Sequence, residues 1–312
     1  MKRLTDNKII LVHRKTRLQE LVARYNTVEQ VSFYLKHLGM DIKDYVEEDT
    51  VYHTALNESS EILSALGRVQ PLQREFLPNF IFGATDVVVA LGQDGLVANT
   101  LKYLYGQPLI GVNPDPLRYD GILLPFYPQD LKRIVSEVFT GRRPISEISM
   151  AKATLQDGQE LHAVNDLFVG QKSHVSARYI LQLDNVLENH SSSGIIVSTG
   201  LGATGWLKSV VAGTTAILKA AGLETSILSE MHLPQRSDNF LQFTVREPFP
   251  SQNTQANLVF GSISREQPMY ITSQMPQGGV IFSDGIESDF LEFCSGAKAV
   301  ISLADKKGQL VV

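Results

Sequence analysis

Apolar residues in the first 143 positions form two kinds of pattern that alternate along the chain. Helix-spaced apolar positions predict helices, and short continuous apolar runs predict buried strands. The predicted strands are Ile9–Val12, Val87–Leu91 and Leu109–Asn113, and the predicted helices are Leu18–Leu38 with a break at Asn26–Thr27, Ser59–Leu66 and Gln129–Phe139. The segment Tyr45–Val46 is expected to be weakly extended. Strands that alternate with helices indicate a parallel α/β sheet.

The pattern changes near residue 144, after which extended runs meet at turns. Met150–Leu155 and Glu160–Val169 flank the turn residues Gln156–Gln159, which predicts a hairpin. One long helical pattern, Thr204–Ala221, interrupts the strands. We therefore predict an α/β N-terminal domain with a parallel sheet over residues 1–143 and a β-rich C-terminal domain over residues 144–312.

Composition and charge narrow the class of protein. A chain of 312 residues with 43% apolar and 20% charged residues can build two folded domains. The net charge of −5 and the lack of a basic patch argue against nucleic acid as a partner. No apolar stretch approaches a membrane span, and the strand pattern begins too early for a signal peptide. The one cysteine, Cys294, allows no intrachain disulfide, so we expect a reducing, cytoplasmic location.

A glycine turn, Gly92–Gly95, joins a predicted strand to a predicted helix. The backbone N–H groups of such a turn point at a ligand above the helix N-terminus, commonly a phosphate. Asp94 would repel a phosphate, so its carboxylate is expected to hold Mg²⁺ or to take a proton from an attacking hydroxyl. The alternative is that Asp94 only caps the helix near Leu96.

Residues Gly200–Gly205 form a second glycine-rich turn, with the spacing G-x-G-x-x-G between a predicted strand and a predicted helix. The hairpin-rich surroundings argue against a Rossmann dinucleotide fold. We therefore expect a helix N-terminus suited to a phosphate or a ribose. A tight turn capped by Thr204 explains the pattern equally well.

Two polar motifs interrupt or follow predicted strands. Asn165 and Asp166 are adjacent inside Glu160–Val169, where strands disfavour both residues. The pair indicates a bulge, a strand end or a ligand contact, with a solvated edge as the alternative. Asn113–Pro116 follows a predicted strand, where open parallel sheets bind ligands, although this loop can also be purely structural. The seven histidines lack metal-ligand spacing, so no metal site made by the protein alone is predicted.

Together these motifs resemble those of the NAD kinase family. In chain order they are Gly92–Gly95, Gly111–Asn113, Asn165–Asp166 and Ser198–Trp206. The likeness is closest to the mitochondrial type and its bacterial relatives, and it includes Gly111–Pro116 with Gly121, Arg246–Pro248 and Ser283–Gly285. It covers nearly the whole chain, and several motifs in order are more specific than any one.

The resemblance implies transfer of the γ-phosphoryl of ATP, with Mg²⁺, to the 2′-hydroxyl of the adenosine ribose of NAD. It makes Asp94 the catalytic carboxylate. The residues that it places at the nucleotides are Gly92, Gln93, Gly95, Asn113, Asn165, Asp166, Thr204, Gly205 and Trp206. Of these, Asn165 and Asp166 would hold the nicotinamide-side ribose. The family assembles as homo-oligomers, so a homodimer through the β-rich domain is expected.

The sequence departs from the family pattern at several of these positions. Gln93 stands where the family has glycine, and we expect strain there if the turn is left-handed. Leu96 replaces a threonine, Asp166 replaces a glutamate, and Gly200–Ala203 lacks the two hydroxyls of the usual turn. Two other functions are therefore considered: a protein that binds NAD or NADP without phosphorylating it, and a related kinase, like the lipid kinases, that acts on another hydroxyl.

Overall fold

The computed structural model describes residues 5–226 and 232–312, and the chain divides into two compact units. The first unit is Met1–Ser146 together with the C-terminal residues Gln309–Val312, and the second is Glu147–Gly308. The predicted domain boundary between Arg143 and Pro144 lies close to this division. It does not include the return of the last strand to the first unit.

The first unit contains a mostly parallel sheet with helices. Its strands are β1 (Lys8–His13), β2 (Arg68–Gln73), β3 (Val87–Leu91), β4 (Pro108–Val112), β5 (Ile145–Ile148) and β18 (Gly308–Val311). Its helices are α1 (Arg17–Tyr25), α2 (Val28–His37), α3 (Lys43–Leu66), α4 (Asp94–Leu101) and α5 (Leu131–Phe139). The strand order is β2-β1-β3-β4-β18-β5, and neighbouring strands from β2 to β18 pair in parallel. The predicted α/β class of this region is confirmed.

The centre of this sheet explains why its strands read as continuous apolar runs. All five residues of β3 are buried, as expected for a strand that is covered on both faces. Tyr52 and Leu63 of α3 and Ile134 of α5 belong to the same core cluster as Val89. The carboxyl ends of these strands are therefore anchored by a well-packed core.

Helix α3 overturns the prediction for residues 43–66. Tyr45–Val46 is helical rather than extended, and Ser59–Leu66 is only the last part of a 24-residue helix. Its buried positions are Glu48, Tyr52, Ala55, Ser59, Leu63 and Leu66. They follow helical spacing, but two of them are polar, so the apolar pattern is interrupted. The predicted break at Asn26–Thr27 is confirmed, because Asn26 has a φ of 71° and Thr27 caps α2.

The second unit is a sandwich of two six-stranded antiparallel sheets. Its strands are β6 (Ala151–Leu155), β7 (Glu160–Ala163), β8 (Asp166–Gln171), β9 (Ala177–Leu183), β10 (Val186–Ser192), β11 (Ile195–Ser198), β12 (Phe240–Val245), β13 (Phe260–Ser264), β14 (Met269–Ser273), β15 (Gly279–Ser283), β16 (Ile286–Glu292) and β17 (Lys298–Leu303). One sheet has the order β10-β9-β14-β17-β6-β7 and the other β13-β12-β11-β8-β15-β16. Helix α6 (Trp206–Ala220) follows β11. The predicted β-rich region is confirmed.

Residues from both sheets fill one apolar core, which includes Leu167, Val169 and Phe243 of the second sheet and Leu181 and Ile301 of the first. Because side chains alternate along a strand, the neighbours Asp166 and Phe168 lie on the opposite, outer face of β8.

The predicted strand Glu160–Val169 is wrong as a single element. It is divided into β7 and β8, which belong to different sheets, with Val164 and Asn165 between them. The hairpin across Gln156–Gln159 is confirmed, since β6 and β7 pair with Ala151 opposite Ala163. The break places Asp166 at the first position of β8.

Over residues 5–226 and 232–312, no helix combines the length and the apolar character needed to cross a membrane.

Candidate functional site

The first glycine turn is shaped by close packing at Gly92. The Gly92 N–H donates to the Val112 carbonyl at 3.1 Å, which ties the ends of β3 and β4 together. A Cβ on Gly92 would lie 2.8 Å from Cδ2 of Leu96, so the Leu96 side chain occupies the space that a side chain would need. Gln93 has φ −114° and ψ 166°, an ordinary extended conformation. The turn is therefore not left-handed at Gln93, and the strain expected for a left-handed turn does not arise.

Asp94 is the first residue of α4, and it does not cap this helix. No side chain caps α4, and the Leu96 N–H donates to the Gln93 backbone carbonyl at 2.8 Å. Instead, Oδ1 of Asp94 accepts the Leu123 N–H at 2.6 Å. The helix-cap alternative is thus wrong, and the carboxylate is held by a loop that is 29 residues away in sequence.

Asn113 organises that loop. Its side chain donates from Nδ2 to the Tyr119 carbonyl at 3.0 Å and accepts the Asp115 N–H on Oδ1 at 3.0 Å. Gly111 lets the loop approach, because a Cβ there would lie 2.0 Å from the Leu123 carbonyl oxygen. Asn113 is buried, and its amide supports the segment that supplies the N–H to Asp94. Its assignment to the dinucleotide stays a prediction.

A buried ion pair supports the same loop and was missed from the sequence. Arg14 follows β1, and its guanidinium donates to Oε1 of Glu48 at 2.8 Å and to the Tyr119 hydroxyl at 2.7 Å. The Tyr52 hydroxyl accepts the Arg14 N–H at 2.9 Å and donates to the Leu91 carbonyl at 2.9 Å. Burial raises the pKa of Tyr52 to about 12. The sequence feature that could have indicated this ion pair is an arginine directly after a buried strand.

In the second unit, Asp166 and Ser198 lie opposite each other on β8 and β11. The Ser198 hydroxyl donates to Oδ1 of Asp166. Burial raises the pKa of Asp166 to about 6; the hydrogen bond from Ser198 opposes that shift, and the nearby charge of Asp284 adds to it. A carboxyl group that titrates this close to neutrality is typical of functional sites.

The backbone at this pair is held by Asp284. Its carboxylate accepts the N–H groups of Val164 at 3.1 Å, Asn165 at 2.6 Å and Asp166 at 3.3 Å. Its own N–H donates to the Asp166 carbonyl at 2.9 Å. The motif Ser283–Gly285 pointed to this region, but the contact joins positions 118 residues apart and had no local signature.

The second glycine turn packs directly on Asn165 and Asp166. A Cβ on Gly202 would lie 2.2 Å from the Asn165 carbonyl oxygen and 2.6 Å from Oδ1 of Asp166. Thr199 holds the turn, since its Oγ1 accepts the Leu201 N–H at 3.1 Å and the Gly202 N–H at 3.3 Å.

The alternative of a tight turn closed by Thr204 stays open, because the Thr204 hydroxyl bonds inside the turn rather than to helix α6. The Thr204 hydroxyl donates to the Leu201 carbonyl at 2.9 Å, and Gly205, the residue before α6, provides no side-chain cap. Trp206 begins the helix, and its ring stacks on Phe168 with centroids 5.9 Å apart.

The structure thus gathers the predicted residues into two groups. Gly92, Gln93, Asp94, Gly95 and Asn113 belong to the first unit, and Asn165, Asp166, Thr204, Gly205 and Trp206 belong to the second. Within the described ranges, no cluster of three or more His, Cys, Asp or Glu side chains is arranged to hold a metal.

Sequence relatives of the chain are NAD kinases, although no family model matches it. It is 31% identical over 124 residues to the NAD kinase of Chlorobaculum tepidum, and the match covers 39% of this chain and 43% of that protein. The chain thus matches less than half the length of this relative.

Solved structures of two kinases share the fold. An NAD kinase from Archaeoglobus fulgidus in complex with ATP aligns with a TM-score of 0.55 at 16% identity, over 98% of this chain and 93% of that one. Yeast NADH kinase complexed with NADH aligns with a TM-score of 0.57 at 13% identity, over 99% and 84%. The sequence relatives are thus NAD kinases, as the motifs predicted, and the structural neighbours share the fold of this chain. The likeness to the mitochondrial type stays a prediction.

Proposed function

We propose that this chain is an NAD kinase-like phosphotransferase that moves the γ-phosphoryl of ATP to the 2′-hydroxyl of the adenosine ribose of NAD. The observation that carries the proposal is the Asp94 carboxylate, which stands at the start of α4 and is positioned by the Leu123 N–H. Relatives named NAD kinase, and fold neighbours solved with ATP and with NADH, agree with these substrates.

The Asp94 site suits phosphoryl transfer because an anchored carboxylate adjoins a helix N-terminus. The first N–H groups of a helix have no partner inside it and favour phosphate oxygens. Among the described contacts, only Oδ1 of Asp94 is engaged, so Oδ2 is available to a ribose hydroxyl or to a metal ion. Mg²⁺ bound with ATP would neutralise phosphate charge, and a single carboxylate with phosphate oxygens is a usual ligand set for it.

Asn165 and Asp166 are proposed to hold the nicotinamide-side ribose. Asp166 uses Oδ1 to accept from Ser198, and a carboxylate has further acceptor positions for ribose hydroxyls. Asp166→Ala should therefore weaken NAD binding more than ATP binding in calorimetry. Equal losses for both ligands would remove Asp166 from the NAD site.

The deciding experiment is NADP formation from NAD, ATP and Mg²⁺, followed with an NADP-specific dehydrogenase. Polyphosphate is tested in parallel as the donor, and boiled protein is the control. NADP above that control supports the proposal. If no NADP forms with either donor while NAD still binds, the chain is a dinucleotide-binding protein instead. If NAD does not bind, other hydroxyl acceptors become the candidates.

A further inference from the structure

The outer face of the sheet that contains β8 carries a row of aromatic rings. Phe168, Phe282 and Phe290 occupy matched positions on β8, β15 and β16. The Phe168 and Phe282 centroids are 4.8 Å apart, and Trp206 covers Phe168 from α6. The Phe168 ring lies where a side chain at Gly170 would stand, because a Cβ there would be 2.5 Å from its Cζ.

These rings border a cavity of about 370 Å³ in the second unit. Its lining residues are Phe168, Gln171, Lys172, Trp206, Arg246, Val280, Phe282 and Phe290. Five of the eight lining residues are aromatic or apolar, which suits a planar ring, since aromatic pairs prefer stacked or edge-on contact. The cavity is far larger than one ring needs and leaves room for a substituent.

The polar part of the wall consists of two cations, Lys172 and Arg246, and the neutral amide of Gln171. Nζ of Lys172 lies 3.4 Å from the centroid of Phe290, and the Arg246 guanidinium carbon lies 5.6 Å from that of Trp206. No carboxylate lines the cavity among the residues that the structure describes. Arg246 also pairs with Glu247 at 3.6 Å, but Glu247 is outside the lining. A substituent on a ring bound in this cavity would therefore lie near the positive charges of Lys172 and Arg246.

We infer that this aromatic cavity takes a pyridine ring that carries a carboxylate, as in the deamido form of NAD, nicotinic acid adenine dinucleotide. The inference rests on the proposed function, because it places the ribose of the same nucleoside at Asp166. Asp166 and Phe168 are two positions apart on one face of β8, about 6.6 Å along the strand, which is the scale of a ribose and its attached ring. The carboxylate then reaches Lys172 or Arg246.

The carboxamide of NAD and the carboxylate of its deamido form have nearly the same shape. Their difference in charge is therefore what can make the cavity prefer one of them. The two cations can donate to either group, but only the carboxylate adds a full negative charge, so it gains a Coulomb attraction that the neutral amide lacks. We therefore expect the deamido dinucleotide to bind roughly 5- to 10-fold more tightly than NAD.

The test is calorimetric titration of the full chain with NAD and, separately, with nicotinic acid adenine dinucleotide. Lys172→Met and Arg246→Met should each bring the ratio of the two dissociation constants toward one, because they weaken binding of the acid more than binding of NAD, since only the acid offers a charge to pair. Lys208→Met is the matched control. Lys208 is an exposed lysine two residues after Trp206 and is not part of the lining.

A higher affinity for the acid that is lost in the two cavity variants and kept in Lys208→Met supports the inference. Equal affinity of the parent chain for both dinucleotides, or tighter binding of NAD, overturns it and leaves the proposed function intact. An equal loss in Lys208→Met also overturns it, because a general surface charge would then explain the preference. If neither dinucleotide binds the folded protein, the proposed function fails as well.

Discussion

Asp94 combines a structural bond with a free oxygen, so the two roles can be separated by one substitution. Asp94→Asn keeps an acceptor for the Leu123 N–H and removes the charge that a base or a metal ligand needs. We expect kcat to fall by about 10²- to 10⁴-fold, with folding and NAD affinity nearly unchanged. Steady-state kinetics and thermal melting measure the two effects.

The matched control for Asp94 is Asp130→Asn, because Asp130 also accepts a backbone N–H, from Tyr127 at 3.0 Å, at the start of another helix. This variant should keep full turnover. If Asp94→Asn instead lowers the melting temperature and leaves turnover intact, Asp94 serves only to anchor the loop.

Asp166 should make stability depend on pH. Its pKa is raised from 3.8 to about 6, so the folded state binds this proton more tightly than the unfolded state does. The stability that protonation provides is full below pH 4 and is lost as pH rises through about 6. Asp166→Asn removes this loss and keeps an acceptor for Ser198. The variant should be more stable than the parent at pH 8 by on the order of 1–3 kcal/mol, and about equal at pH 4.

Urea unfolding at both pH values measures this difference. Asp157→Asn is a control of opposite sign: hydrogen bonds from Gln159 lower the pKa of this exposed carboxyl, so its replacement should lower stability at pH 8 rather than raise it. An Asp166→Asn effect of the same size at pH 4 and pH 8 would show that the charge of Asp166 is not its cause.

At the scale of the element, the second glycine turn, Gly200–Gly205, packs against the start of β8 too closely for a side chain at Gly202. Gly202→Ala would place a Cβ 2.2 Å from the Asn165 carbonyl oxygen, so the turn and the start of β8 must move apart. Such overpacking costs about 1–3 kcal/mol, and NAD binding should weaken with it. Gly213→Ala is the control, because no atom lies within 4 Å of a Cβ there and alanine favours the helix interior by about 0.5–1 kcal/mol.

Chemical denaturation of the two glycine variants, with calorimetry of NAD binding, compares the two positions. Gly202→Ala with unchanged stability and unchanged NAD affinity would contradict a role for this close contact.

The elements also show how far the sequence alone can reach. Strands such as β3 were predictable because burial on both faces leaves only apolar residues. Helix α3 was not, because Glu48 and Ser59 occupy its buried face and are satisfied there by Arg14 and by the Ala55 carbonyl. Such partners come from tertiary structure, which no local pattern encodes.

The same limit applies to the candidate site. Asp94 and Asp166 stood out because a carboxylate in a glycine turn or beside a strand breaks the local pattern. Arg14 did not, and Asp284 was marked only by the family likeness at Ser283–Gly285, since their roles depend on neighbours 34 and 118 residues away. Candidate reactive residues inside local motifs could therefore be predicted from the sequence, whereas the distant residues that position them could not.

At the scale of the whole molecule, the open edges of the sandwich lead to a prediction about assembly. Strand β10 is an edge strand, and Val186 and Leu187 at its start are 49% and 58% exposed. Exposed apolar edges are normally covered, and twofold dimers are the commonest arrangement. We expect a homodimer through this edge, so light scattering at micromolar concentration should give about twice 34.5 kDa.

Leu187→Glu places a charge on that edge and should shift the protein toward the monomer. Ile217→Glu is the control, since Ile217 is 72% exposed on α6 and away from β10 in sequence. A parent protein of about 34.5 kDa would contradict the dimer. A dimer that persists in Leu187→Glu, with melting temperature unchanged, would place the interface on another surface, because a buried unpaired charge at this edge would cost several kcal/mol.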